Sequence, residues 1–364
     1  MELKQVIDQF AIDGKAGEIE KIGSGHINAT YRIKNQVNGQ PDYLLQSING
    51  YIFTNIEELT NNIIKVTSHI RKKYSAQDAV NKVLTPVATK LGTYYYTDEE
   101  KTNWRVFVYI PDSRIYDVVS SKKIAFEAGK AFGNFQSQLS DYPASQIFEV
   151  LPRFHDAERR LGDFMLAVKE NKAGRLESVQ REVAFVMQRA EEMKKISKLE
   201  AQGLISKRIA HYDTKCSNIL YDATDDALCV IDLDTVMPGF VMYDFGDSIR
   251  TFANTATEDE ADLSKISINL GIYEAYAKGY LLSTRGFLTS VERDHLAFAA
   301  KYITFEQAVR FLTDYINGDL YYHIKFPGHN LQRSRAQLKL VESMEENFAE
   351  MEHIISETYH LLSE

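Results

Sequence analysis

Apolar residues recur at Ile56, Leu59, Ile63, Val66 and Ile70, a three-to-four spacing that lines one face of a helix over residues 56–70. The chain before that segment has a different rhythm. Residues 18–22, 29–33 and 42–47 are short runs rich in Ile, Thr, Tyr and Leu. Turn-prone Gly23-Ser24-Gly25-His26 and Asn38-Gly39 separate them, which predicts three strands joined by tight turns. Two further strands are predicted at 92–96 and 104–110, where Pro111-Asp112 ends the run. Beyond that proline the apolar period lengthens. Segments 122–139, 153–168, 182–199, 260–282, 291–316 and 332–362 carry helical spacing, and only 218–222 and 227–232 read as a strand pair. The pattern predicts an α+β chain of two lobes: a small antiparallel-sheet lobe over 1–111 and a larger, mainly helical lobe over 112–364, joined by a hinge near 108–113.

Composition narrows the partners. A chain of 364 residues suits two lobes sharing a cleft, and 44% hydrophobic residues against 26% charged predict a large buried core. Lys and Arg number 42 against 51 Asp and Glu, a net charge of −9 that argues against nucleic acid or an anionic membrane as partner. Two cysteines, Cys216 and Cys229, cannot build a disulfide framework and lack zinc-ligand spacing. The N-terminus M-E-L-K-Q-V-I-D-Q-F carries acids where a signal peptide carries an apolar core. No apolar run reaches the ~18–20 residues of a membrane span. The expectation is a reduced, soluble, cytoplasmic protein.

The densest chemistry lies in H-Y-D-T-K-C-S-N, residues 211–218, followed about ten residues later by I-D-L-D, 231–234. On a strand, Asp232 and Asp234 would point to the same side, and two adjacent carboxylates repel unless a cation lies between them. Asn218 adds a neutral oxygen, so Asn218, Asp232 and Asp234 form a hard-oxygen set suited to Mg²⁺ beside phosphate oxygens. Asp213, five residues before Asn218, is placed to accept a proton from an attacking hydroxyl. Lys215 would offset the charge of the transferred phosphoryl group. The order H-x-D-x-x-x-x-N, strand, Asp is that of kinase-type phosphoryl transfer from ATP. Asp and Asn are also common in loops for turn reasons alone; the joint occurrence with I-D-x-D argues against that reading.

A second feature is Gly23-Ser24-Gly25 between the first two predicted strands. Glycines let backbone N–H groups approach phosphate, although a plain hairpin turn is the default reading of an isolated G-x-G. His26 beside it could reach a substrate or a phosphate.

These residues resemble the aminoglycoside/choline phosphotransferase superfamily and, within it, the N-acetylhexosamine 1-kinases. The resemblance is carried by G-S-G-H-I-N (23–28), L-L-Q-S-I-N (44–49), W-R (104–105), H-Y-D-T-K-C-S-N (211–218) and I-D-L-D-T-V-M-P-G (231–239). Y-D-F-G-D-S-I-R (243–250), R-F-L-T-D-Y-I-N-G-D-L-Y (310–321) and H-N-L-Q-R-S-R-A-Q-L-K-L-V (329–341) extend it over nearly the whole chain. It implies a protein-kinase-like fold, ATP and Mg²⁺ as cofactors, and a small-molecule sugar as the substrate. It further implies that Asp213 activates an anomeric hydroxyl of GlcNAc or GalNAc, with Mg²⁺ on Asn218 and Asp232 and a contribution from Asp234. His26, Arg310 and Tyr321 match positions that face the sugar. Asp244 and Asp247 are candidates for hydroxyl contacts or for bracing that wall; the structural alternative is a helix N-cap and first-turn acid pair. Arg310 could instead be helix-paired to Glu306 or Asp314, four residues to either side. Gln46 stands where a protein kinase carries its phosphate-binding strand lysine. Backbone groups of the hinge around Tyr109 would suit adenine.

Two rival readings keep part of this picture. One retains the fold and changes the acceptor to choline, an aminoglycoside or another sugar hydroxyl. The other is a nucleotide-binding pseudokinase, supported by the absent strand lysine and opposed by the presence of Asp213, Asn218 and Asp232. A sulfatase is excluded, because neither cysteine begins the Cys-x-Pro-x-Arg nucleophile segment and no serine supplies the alternative.

Overall fold

In the computed structural model, residues 2–22, 28–119 and 121–363 are described. Gly23, Ser24 and Gly25, read as a phosphate cradle, and His26, read as a sugar contact, lie outside the described residues. The chain forms two compact units. The first combines Met1–Ile115 with Asp141–Leu151 and Ile219–Pro238; the second combines Tyr116–Ser140, Pro152–Asn218 and Gly239–Glu364.

The first unit is built on an antiparallel sheet. Its N-terminal part runs α1 (Leu3–Ile7), β1 (Ala16–Ile22), β2 (Thr30–Asn35), β3 (Tyr43–Ile48), α2 (Ile56–Arg71), α3 (Ala76–Lys82), β4 (Pro86–Val87), β5 (Tyr96–Thr97) and β6 (Asn103–Val108). The sheet order is β1-β2-β3-β6-β4, with β5 on β6. One face buries Ile33, Tyr43, Leu45 and Val106 against Val6, Ile7 and Phe10. Helix α1, which its five residues make too short for a periodic signal, is held by that burial. The strand expected over 92–96 contracts to Tyr96–Thr97. Gly92 adopts φ +87 and the Thr93 N–H bonds the Thr89 hydroxyl, so the chain turns there.

Helix α2 forms as its pattern predicts. Asn55 caps it, accepting the Glu58 N–H at 3.1 Å, and Leu59, Ile63, Val66 and Ile70 face inward. Among them lies a buried amide, Asn62, which exchanges two hydrogen bonds with Phe148 (2.8 and 2.9 Å) and donates to the Val236 carbonyl. Lys65 donates to the Gln146 carbonyl at 2.7 Å. These bonds draw 141–151 and 219–238 into the sheet unit, whereas the sequence pattern assigns both to the helical lobe.

The second unit holds α4 (Lys122–Leu139), α5 (Ala157–Glu170), α6 (Gln180–Arg189), α7 (Lys195–Ala201), β7 (Arg208–Ala210), α8 (Val241–Phe252), α9 (Leu270–Thr284), α10 (Ser290–Asp294), α11 (Leu296–Asn317), α12 (His329–Glu346) and α13 (Phe348–Leu361). Several expected long helices are divided at capping side chains. The 260–282 segment becomes helical only at Leu270, where Asn269 accepts the Ile272 N–H. The 291–316 segment breaks at His295, after a Thr289/Glu292 capping box has begun α10. The 332–362 segment breaks at Asn347, whose amide donates to the Ser343 carbonyl. Helices α4 and α9 touch backbone to backbone: a Cβ on Gly129 would lie 2.1 Å from the Tyr276 carbonyl oxygen, and one on Gly279 2.0 Å from that of Phe126.

Strands β8 (Ile219–Tyr221) and β9 (Ala227–Val230) form an antiparallel hairpin in the first unit. Strand β9 ends before Asp232, which adopts the left-handed conformation (φ +59), and Leu233–Thr235 turn as a 3₁₀ helix. Asp tolerates that backbone better than most residues. The expected alternation of Asp232 and Asp234 along one strand is therefore corrected: Asp232 is at the N-cap of a 3₁₀ turn and Asp234 lies within it.

Candidate active site

The loop after β7 is shaped by two carboxylates of α8. Asp244, fully buried, accepts the backbone N–H groups of His211 (2.8 Å) and Tyr212 (2.9 Å) and the amide of Gln136 (2.8 Å). Asp247 accepts the Thr214 N–H at 3.0 Å and a two-pronged contact from Arg250. The Thr214 hydroxyl returns to the Asp244 carbonyl at 2.7 Å. Below, the His211 ring packs edge-on against Phe132 and Phe135 of α4. Asp244 and Asp247 thus hold the loop's backbone rather than offering free carboxylates to a substrate, a correction to their assignment as direct substrate contacts. Phe240 is at the N-cap of α8 and makes no side-chain cap, so the N-cap half of the alternative does not hold, whereas Asp244 does lie in the first turn. Burial raises the Asp244 pKa above the ordinary carboxylate range despite its donors.

Asp213 stands out from that frame, with 31% of its side chain exposed. The Lys215 ammonium meets its Oδ2 at 2.8 Å, and the Asn218 amide donates to the same oxygen at 2.9 Å and to the Asp213 carbonyl at 2.8 Å. Burial of its inner side pushes the carboxyl up, but Lys215, His211 and Asn218 outweigh it and hold Asp213 below the usual carboxylate range. The Asn218 nitrogen is committed to Asp213, which leaves its Oδ1 to serve a cation. Tyr212, immediately before Asp213, is in the left-handed region at φ +68. His155 stacks on its ring (5.3 Å), Phe154 and Tyr243 flank it, and a Cβ on Gly239 would lie 2.1 Å from its hydroxyl.

Arg310 and Tyr321 line a cavity of about 340 Å³ in the same unit, between α5, α11 and residues 320–322. At one end Arg310, with 9% of its side chain exposed, lies over the Phe154 ring at 4.6 Å. It donates to Gln307 at 3.0 Å and stands 3.8 Å from Glu306, as helix pairing predicts. Asp314, the other candidate partner, is occupied instead by the N–H groups of Leu320, Tyr321 and Tyr322 and by Asn330. Glu306 also meets Arg160 (2.9 Å) and His155 (3.1 Å), so one buried carboxylate serves three nitrogen groups. Burial raises its pKa, and Arg310, His155 and Arg160 together pull it down to about 2.

The first unit carries the other sequence candidates. Asp234 is buried, its two oxygens held by the Arg105 guanidinium, and Oδ2 also accepts the Asn28 amide at 2.8 Å. Gln46 accepts from Arg105 Nε at 3.1 Å and donates to the Thr30 hydroxyl. Arg105 was visible in the sequence only as half of W-R, and nothing local pointed to a partner at Asp234. The N–H of Tyr109 is committed to the Asp42 carbonyl at 2.9 Å, and Arg32 lies over its ring, so that donor is not available for the expected adenine contact. Among the described residues, no three His, Cys, Asp or Glu side chains cluster as a metal site by themselves. Mg²⁺ bound through few protein oxygens and substrate phosphates does not require such a cluster. Both cysteines are buried without a disulfide, and burial pushes the Cys229 thiol up to about 12. No described helix is long and apolar enough to cross a membrane.

Residues 18–282 match the phosphotransferase enzyme family, more than half of the chain, and the protein belongs to that family. The fold is α+β and protein-kinase-like, and the chain is a small-molecule phosphotransferase. Solved structures similar to it include an aminoglycoside phosphotransferase from Alicyclobacillus acidocaldarius subsp. acidocaldarius (11% identity, 98% of this chain and 97% of that one, TM-score 0.64). A microcompartment-associated aminopropanol kinase (14% identity, 96% and 97%, TM-score 0.59) and an ethanolamine kinase from Plasmodium vivax (15% identity, 92% and 86%, TM-score 0.57) share the fold.

Proposed function

We propose that this protein transfers the γ-phosphoryl group of ATP to the anomeric C1 hydroxyl of an N-acetylhexosamine, GlcNAc or GalNAc, with Asp213 as the base. The observation that carries the reading is Asp213 itself: a half-buried carboxylate kept ionised by Lys215 on a loop whose backbone is held by two carboxylates of α8. A weakly basic carboxylate suits the most acidic hydroxyl of a sugar, and in phosphoryl transfer its main task is to orient the nucleophile and take its proton late. Lys215 then neutralises charge on the transferred group. Asn218 and Asp232 are assigned to Mg²⁺, which when bound would offset phosphate charge; Asp234, already held by Arg105 and Asn28, is assigned to bracing.

The acceptor assignment rests on the resemblance together with the cavity. Its volume falls within the ~300–1,000 Å³ of small-molecule sites. Its lining carries Arg160, Lys172 and Arg310 against Asp163, Glu170 and Asp314; Glu170 is paired with Lys172, Asp314 with backbone and Asp163 with Arg159, and Glu306 backs Arg160 and Arg310. The buried guanidinium of Arg310 can donate to sugar oxygens. The names of the structural neighbours favour the second reading, a cationic amino-alcohol or aminoglycoside acceptor. ADP release over a panel of free hexoses, N-acetylhexosamines, choline and ethanolamine separates the two. Turnover is expected with GlcNAc or GalNAc, giving a product whose phosphorus signal couples to H1, and none is expected with Asp213→Asn. Turnover confined to the amines would overturn the proposal.

A further inference from the structure

Gln46 leaves the nucleotide's phosphates without the strand lysine that protein kinases place there. We propose that Arg105, on the neighbouring strand, is the cation that meets those phosphates. The inference rests on ATP as phosphoryl donor and is independent of the acceptor.

Gln46 and Arg105 are direct cross-strand partners in the β3–β6 register, so their side chains leave the same face of the sheet. The Gln46 carbonyl accepts Arg105 Nε at 3.1 Å, and its amide nitrogen is anchored on Thr30 at 3.1 Å. Glutamine here orients a cation instead of being one. Asp234 clasps the guanidinium from the other side through both of its oxygens. A kinase lysine is poised in a comparable way, by a carboxylate counter-ion.

The position of Asn28 ties this pair to the glycine-bearing segment. Asn28 follows directly on Gly23–Ile27, and its amide donates to Asp234 Oδ2 at 2.8 Å while its oxygen accepts the Asn49 N–H at 3.1 Å. The carboxylate that holds Arg105 therefore also holds Asn28. A guanidinium has five N–H donors. Gln46 and Asp234 engage three of them, which leaves one on each terminal nitrogen for phosphate oxygens. The fixed fork suits phosphate geometry.

Calorimetric titration of the whole chain with adenosine, ADP and ATP in the presence of Mg²⁺ tests this. Arg105→Met is expected to weaken ATP and ADP by roughly 10- to 100-fold and to leave adenosine unchanged. Arg105→Lys should recover part of the loss. Because Arg105→Met strands a buried carboxylate, the double variant Arg105→Met/Asp234→Asn is titrated beside it; the same selective loss is expected there. Equal weakening of adenosine and ATP, or undiminished ATP affinity in the double variant, overturns the assignment of Arg105. A wild-type chain that binds none of the three would instead overturn the ATP reading, and sugar-kinase failure with normal ATP binding would leave this inference standing.

Discussion

The loop 211–218 and the Phe154 end of the cavity lie in one unit, and both are built around buried carboxylates, yet they are wired in opposite ways. In the loop, Asp244 and Asp247 have donors matched to them, largely the loop's own N–H groups. Behind the cavity's Arg160 and Arg310, Glu306 is shared by these two and His155, and the His155 Nε2 is buried with no described partner. A saturated network fixes a shape; an unsaturated one keeps hydrogen-bonding capacity for something else. The first arrangement fixes the loop that carries Asp213, and the second holds Arg160 and Arg310 at the cavity wall.

Substitutions can break that contrast. The largest effect is expected from Asp244→Asn, which turns an amide N–H₂ toward donors that need an acceptor. Stability should fall by about 1–3 kcal/mol. kcat should fall ~100-fold through misplacement of Asp213, with the acceptor KM nearly unchanged. Steady-state kinetics beside thermal unfolding would check both, and a kcat close to wild type would show that the loop holds its shape without the brace. Arg310→Met comes next. Glu306 keeps Arg160 and His155, so the fold should persist and nucleotide affinity stay constant, while the acceptor KM rises about tenfold or more. An unchanged KM would remove Arg310 from the acceptor site.

The smallest effect is a pH dependence. Glu306 has its pKa depressed from the ordinary 4.5 to about 2, so its contribution to stability is present in full above 4.5 and is lost as pH falls toward 2. Melting temperatures of wild type and Glu306→Gln should therefore converge on acidification through that window. Parallel curves would mean that the charge of Glu306 adds nothing.

The sequence disclosed much of this where the signal is local. The face of α2, the extent of α4 and the crowding of Asp213, Lys215 and Asn218 could all be read from spacing. Asp244 could be read as a first-turn helix acid, which it is, but its partners, the N–H groups of 211 and 212, belong to a segment far off in the chain. Pairing of Arg105 with Asp234 was invisible for the same reason. Helix ends such as those at His295 and Asn347 interrupt an apolar period that continues across them, so periodicity alone runs two helices together. The positive φ of Asp232 ended a strand whose composition still favoured extension.

The backbone contact between α4 and α9 has a consequence for how variation in this chain would be scored. Gly129 holds α4 against α9, and α4 carries Phe132, Phe135 and Gln136 beneath His211 and Asp244. A methyl group at Gly129 has no free space, so the helix must shift and carry those three side chains with it. In a survey of random variants Gly129→Ala would register as a loss of activity, and the position would be mistaken for part of the chemistry although no substrate ever reaches it.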